Sequence, residues 1–199
     1  MKIYDISQEL LGSVVFPGDP APESRMLARI ADGAFCNVTA LSMCAHNGTH
    51  VDAPRHFIEG GKAIDEIPVS TWVGSAYVCH FDGLVGREEI KHILEKARAI
   101  DPECAKRLLV GGKATLTEEG ALTLAEEGVL MYGNESQTVG PEDAPMKTHL
   151  ILLGCGTVLL EGVRLAGVPC GGYLLSAPPI NIKGADGSPC RAVLIDLKS

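Results

Sequence analysis

The sequence predicts one α/β domain, a mixed β-sheet with flanking helices, on three observations. The chain has 199 residues, and with domains running to about 100–200 residues it has room for a single core. Apolar residues make up 46% of it and the mean hydropathy is +0.16, a composition that folds rather than stays disordered. Short β-branched runs dominate the first 80 residues and alternate with helical patterns afterwards, as in mixed α/β proteins.

In order, strands are predicted over Lys2 to Ser7, Asn37 to Met43 and Val73 to Phe81, each an apolar run bounded by turn-forming residues. Phe16 to Pro22 (FPGDPAP) reads as a structured loop, being too short for an interdomain linker. The first helix, Arg87 to Ala99, puts Ile90, Ile93, Leu94 and Ala97 on one face. Thr115 and Glu118 read as a capping box for a second helix, Thr117 to Glu127. A third is predicted from near Pro145, which suits a first helical position, to a stop at Gly154. Strands at Arg107 to Val110, Val129 to Tyr132 and Thr157 to Leu160 alternate with these helices, and Tyr173 to Ser176 and Cys190 to Leu197 close the chain. Gly60-Gly-Lys62 and Gly111-Gly-Lys113 are turns, since neither has the Ser/Thr after lysine that a phosphate-binding loop needs.

Seventeen basic against twenty-five acidic side chains give a net charge of -8 and a pI near 5.2, which repels nucleic acid and anionic membrane surfaces. Asp5 and Glu9 interrupt the start of the chain where a signal peptide would be apolar, and no run of about 18 uncharged apolar residues occurs, so a cytoplasmic protein is expected. Seven cysteines without a C-x-x-C pair suggest reduced, mostly buried thiols rather than a disulfide framework. Trp72 is expected in the core, and His80 and His92 in ordinary structural or surface places.

Chemistry concentrates in His46-Asn-Gly-Thr-His50-Val-Asp52-Ala-Pro-Arg-His56, which holds three of the six histidines. Gly48, Thr49, Val51 and Pro54 oppose a helix there. In an extended chain alternate side chains share a face, so positions 46, 50, 52 and 56 form a comb of ligands. Four residues of straight strand would hold His46 and His50 ~13 Å apart, near the limit for two imidazoles on one ion, so the chain must bend. Gly48 is placed to let it. Imidazole and carboxylate without thiolate favour zinc, manganese or iron over calcium, and an open catalytic site over a sealed structural one.

The pattern His46-x-Gly-Thr-His50-x-Asp52-x-Pro-x-His56 resembles the signature of the cyclase family of metal-dependent hydrolases, which includes bacterial kynurenine formamidases and isatin hydrolase. Tyr4-Asp-Ile-Ser7, Phe16-Pro-Gly-Asp19 and Lys183-Gly-Ala-Asp-Gly-Ser-Pro-Cys-Arg191 extend the resemblance over nearly the whole chain. It implies a swivelling β/β/α-type fold, a homodimer or higher homo-oligomer, and two divalent metals, zinc first and manganese second. It further implies that His46, His50 and Asp52 hold one ion and Asp52, His149 and Glu161 the other, with a hydroxide between them as nucleophile. Glu161, ending an apolar strand, is independently a costly carboxylate unless paired or metal-bound. His56 is left as the proton carrier, or as a further ligand. Phe16 stands where kynurenine formamidases commonly have a substrate-packing tryptophan. Gly133-Asn-Glu135 and Gly111-Gly-Lys113 depart from the family pattern and are expected to alter pocket walls. The function implied is cleavage of an amide C–N bond in a small substrate, an aryl formamide such as N-formylkynurenine or a cyclic amide. The alternatives are a metal-dependent cyclase or dehydratase and a non-catalytic metal-binding protein.

Overall fold

The computed structural model describes residues 1–196. Along the chain these form β1 (Lys2–Asp5), a hairpin of β2 (Glu23–Ala28) and β3 (Val38–Ser42), β4 (His50–Asp52), a short α1 (Val69–Trp72), β5 (Val73–His80) and β6 (Gly83–Val85). There follow α2 (Arg87–Ile100), β7 (Arg107–Gly111), β8 (Ala114–Leu116), α3 (Glu118–Glu126), β9 (Met131–Asn134), α4 (Met146–Cys155), β10 (Val158–Glu161), β11 (Gly171–Ser176), β12 (Gly187–Pro189) and β13 (Val193–Asp196). Nine strands make one mixed sheet in the order β1-β13-β11-β5-β7-β9-β10-β4-β12. Its centre, β5-β7-β9-β10, is parallel and connected through α2, α3 and α4, while both flanks are antiparallel.

The central strands read as unbroken apolar runs because both faces of the sheet are buried. Tyr77, Leu108, Val110, Tyr132 and Leu159 point toward the helices, packing with Ile90, Leu94, Leu124 and Leu152. Their chain neighbours Ala76, Val78, Leu109, Met131, Val158 and Leu160 point the other way and pack with Ile6, Trp72, Val163 and Leu165. Trp72 is thus a core residue, as expected.

Several boundaries move. The second helix is capped not by Thr115 but by Thr117, whose hydroxyl accepts from the Gly120 amide. The third continues past Gly154 to Cys155 and ends at Gly156, whose φ of 89° gives the left-handed C-cap. The predicted strand Asn37 to Met43 is present as β3 but pairs only with β2, outside the main sheet. Leu197, at the end of the last predicted strand, lies outside the described residues. The cysteines are less buried than expected: only Cys79 and Cys104 are fully buried, and Cys36, Cys155 and Cys170 are exposed. His80 donates from Nε2 to the Val168 carbonyl at 2.7 Å and His92 is exposed on α2, both structural or surface places. No helix among the described residues is long and apolar enough to cross a membrane.

Candidate active site

The extended comb is replaced by a turn, a short strand and a second turn. Only His50 to Asp52 is strand, because Gly48 takes a left-handed φ of 69° just before it and Pro54 opens a 3-10 turn ending at His56. The bend at Gly48 was required by the ligand spacing, and a Cβ there would also approach the Leu10 side chain to 3.2 Å. In β4, Val51 faces the apolar layer opposite the helices while His50 and Asp52 share the other face. Antiparallel pairing sets Glu161, the last residue of β10, directly across from His50. His149 comes down on the same point from α4. His46, His50, Asp52, His56, His149 and Glu161 therefore meet at one end of the β10-β4 pair, and Phe16 reaches their cavity from the loop after β1.

Hydrogen bonds set which nitrogen of each ring faces inward. His50 donates from Nδ1 to the Gly48 carbonyl at 3.0 Å, and His149 from Nδ1 to the Pro145 carbonyl at 2.8 Å. A carbonyl only accepts, so in both rings Nδ1 carries a proton and Nε2 is the nitrogen turned to the carboxylates, a donor in the protonated ring and the lone-pair nitrogen in the neutral one. Nε2 of His50 lies 3.5 Å from Asp52 Oδ1 and 3.4 Å from Glu161 Oε2, and Nε2 of His149 lies 3.2 Å from Glu161 Oε1. His46 is turned the other way, with Nδ1 2.9 Å from Asp52 Oδ1 and Nε2 2.9 Å from Asp186 Oδ2. His56 stacks on His46 with ring centroids 4.0 Å apart and places Nδ1 3.3 Å from the same Asp186 oxygen. Phe57 packs on His149 with centroids 4.7 Å apart.

Burial pulls the pKa of His46 down, but its hydrogen bonds to Asp52 and Asp186 and their charges outweigh this and push it up to about 9. His50 and His149 are also raised, their desolvation overcome by Glu161 and Asp52. His56 is lowered, first by desolvation. Asp52 is held well below the ordinary carboxylate range, since the surrounding imidazoles, His46 first, override the effect of its burial.

The donor set fits divalent metal. Asp52 Oδ2 is buried with no hydrogen-bond partner among the described residues, an acceptor of the kind that a cation satisfies. Three triads of side chains have ligand atoms close enough to share an ion: His46, His50 and Asp52; Asp52, His149 and Glu161; and His46, His56 and Asp186. The first two share Asp52 and combine imidazole with carboxylate, as zinc and manganese prefer.

The cavity beside them has a volume of about 210 Å³, small-molecule scale, and Phe16, Asp19, Gln137 and Thr138 also border it. Sequence reasoning assigned no role to Asp19, Gln137, Thr138 or Asp186, although Asp19 and Asp186 lie within segments it singled out. Neither Asn134 nor Gly111 to Lys113 borders this cavity, contrary to expectation. Glu135 accepts from the Gly112 and Leu165 amides and borders a neighbouring cavity of about 200 Å³ that shares Phe16, Gln137 and Thr138.

Comparison with known proteins identifies the family and the fold. The family model Cyclase matches residues 4–141. The kynurenine formamidase of Paracidovorax citrulli is 34% identical, over 96% of this chain and 95% of its own, and that of Salinibacter ruber 32%, over 98% of each. A solved structure described as a potential metal-dependent hydrolase with cyclase activity superposes with a TM-score of 0.80 at 25% identity, covering 97% of this chain and 96% of its own. Isatin hydrolase A from Labrenzia aggregata, bound to benzyl benzoate, has a TM-score of 0.80 at 22% identity, covering 97% and 93%, and shares the fold.

Proposed function

Since the chain belongs to the cyclase family of metal-dependent hydrolases and is an arylformamidase-like hydrolase, we propose that it cleaves the C–N bond of an aryl formamide, such as N-formylkynurenine, or of a cyclic amide. The observation that carries this reading is the convergence of two ligand triads on one shared carboxylate, Asp52, beside a cavity with an aromatic wall. His46, His50 and Asp52 would hold one divalent ion and Asp52, His149 and Glu161 a second, zinc being preferred and manganese next. When bound, such ions polarise the amide carbonyl and acidify a water molecule.

The chain's own residues do the rest. Phe16 offers a flat face to the substrate ring. His56, lowered in pKa by burial, is neutral near pH 7 and takes the proton of the attacking water, then returns it to the departing amine nitrogen. The rings of Phe57 and His149, packed on each other, line the cavity wall.

Two further parts of the proposal concern the protein in the cell. Its seven cysteines form no disulfide, which suits the cytoplasm. The β2-β3 hairpin exposes Leu27, Phe35 and Leu41, an apolar surface of the kind that dimers cover.

The experiment is a panel of formanilide, N-formylkynurenine, isatin and simple lactones, followed in ¹⁸O water with zinc, with manganese and after chelation. Metal-dependent cleavage of the amides with one solvent oxygen in the acid product is expected. Intact amides under every metal condition would refute the proposal.

A further inference from the structure

We propose that Asp186 is the positioning carboxylate of this site, a single oxygen that holds the ligand His46 and the proton carrier His56 in register. The inference rests on the reading of His56 given above. Each of the three histidines in the two Asp52 triads has one nitrogen directed at the carboxylates and must have its other nitrogen fixed, or the ring can turn and present the wrong tautomer. In His50 and His149 a backbone carbonyl does this, from Gly48 and Pro145. His46 has no such carbonyl, and the group opposite its Nε2 is Asp186 Oδ2 at 2.9 Å. Asp186 is therefore to His46 what Gly48 and Pro145 are to the other two, with the difference that it carries a charge and has capacity for a second donor.

That second donor is His56, whose Nδ1 lies 3.3 Å from the same oxygen. Sharing one acceptor brings the two rings to a 4.0 Å stack, 28° from parallel. With Nδ1 donating, the remaining lone pair of His56 is on Nε2, the nitrogen that then exchanges a proton with substrate.

The backbone is built for this grip. Asp186 accepts from the Ala53 amide at 2.9 Å through its carbonyl, and Gly187 pairs with Asp52 across β12 and β4. At Gly187 a Cβ would meet the His46 ring at 2.5 Å, so the strand can lie this close to the imidazole only with glycine there. The carboxylate is thus delivered by a strand hydrogen-bonded to the one that bears the ligands, and its side chain is half-exposed rather than buried in the core.

Imidazole ¹⁵N spectra of the metal-free protein at pH 8, with His56 assigned by comparison with His56→Gln, test the geometry without any turnover. A proton on Nδ1 and a bare Nε2 are expected for His56, and the opposite tautomer would overturn the proposal. In the metal-loaded enzyme, Asp186→Ala is expected to lower kcat on the order of 10–100-fold, to leave KM little changed, and to keep the wild-type zinc stoichiometry at saturating zinc. Asp186→Glu should recover part of the lost kcat. Wild-type kcat together with unchanged His56 shifts in Asp186→Ala would overturn the assignment, and so would loss of an ion, which would make Asp186 a ligand. If the wild-type protein cleaves no amide, the functional reading fails while the tautomer still decides this one.

Discussion

Asp52 shows what single residues demand here. A carboxylate buried this deeply costs several kcal/mol unless opposite charge surrounds it, and in the chain alone that charge comes from imidazoles that must stay protonated. The consequence is a pH dependence of known sign. The folded pKa of His46, about 9, lies above the 6.5 of a free imidazole, so its contribution to stability is complete below pH 6.5 and is lost as pH rises through 9. His50 and His149 are shifted in the same direction, His56 in the other. The melting temperature of the metal-free protein is therefore expected to fall between pH 6.5 and 9. The zinc-loaded protein, whose imidazoles are held without their extra protons, should be higher-melting and flatter over the same range. Calorimetry of both forms checks this, and a metal-free protein whose melting temperature stays level or rises would speak against it.

At the scale of elements, the site depends on how β4 is entered and left. Gly48 at φ 69° turns the chain so that His46 comes back over His50. Alanine there pays ~1–2 kcal/mol for the left-handed backbone and crowds Leu10, so Gly48→Ala is expected to lower the melting temperature and weaken zinc binding together. A variant with unchanged zinc affinity in a dialysis titration would show that the bend is not what gathers the ligands. The bend itself was legible in the sequence, because spacing and residue type demanded it. The face-sharing comb was not, because parity counts only along an unbroken strand and here Gly48 and Pro54 limit that strand to three residues. The ligand roles of His149 and Glu161 came from the family resemblance: the cost of a carboxylate ending an apolar strand marks Glu161 locally, but nothing local marks one histidine on an apolar helix as a ligand. Asp186 carries no local signal of its role, since its partners His46 and His56 lie 140 and 130 residues away.

For the whole molecule, the two apolar layers explain why the central strands could be located from composition alone. Burial on both faces leaves an apolar run that needs no alternation to be noticed. The β2 strand escaped because Glu23–Ala28 is mostly exposed and pairs only with β3, so it carries little of the pattern that burial imposes. The same exposure argues for a second copy of the chain over the hairpin. Light scattering on the purified protein is expected to give a dimer, and Phe35→Ser with Leu41→Ser a monomer; a monomeric wild type would remove the hairpin's proposed role. The central claim, that two ion positions share Asp52, is tested most directly by anomalous scattering from crystals grown with zinc. Two peaks are predicted, one among His46, His50 and Asp52 and one among Asp52, His149 and Glu161, and a map without density at either position would contradict it.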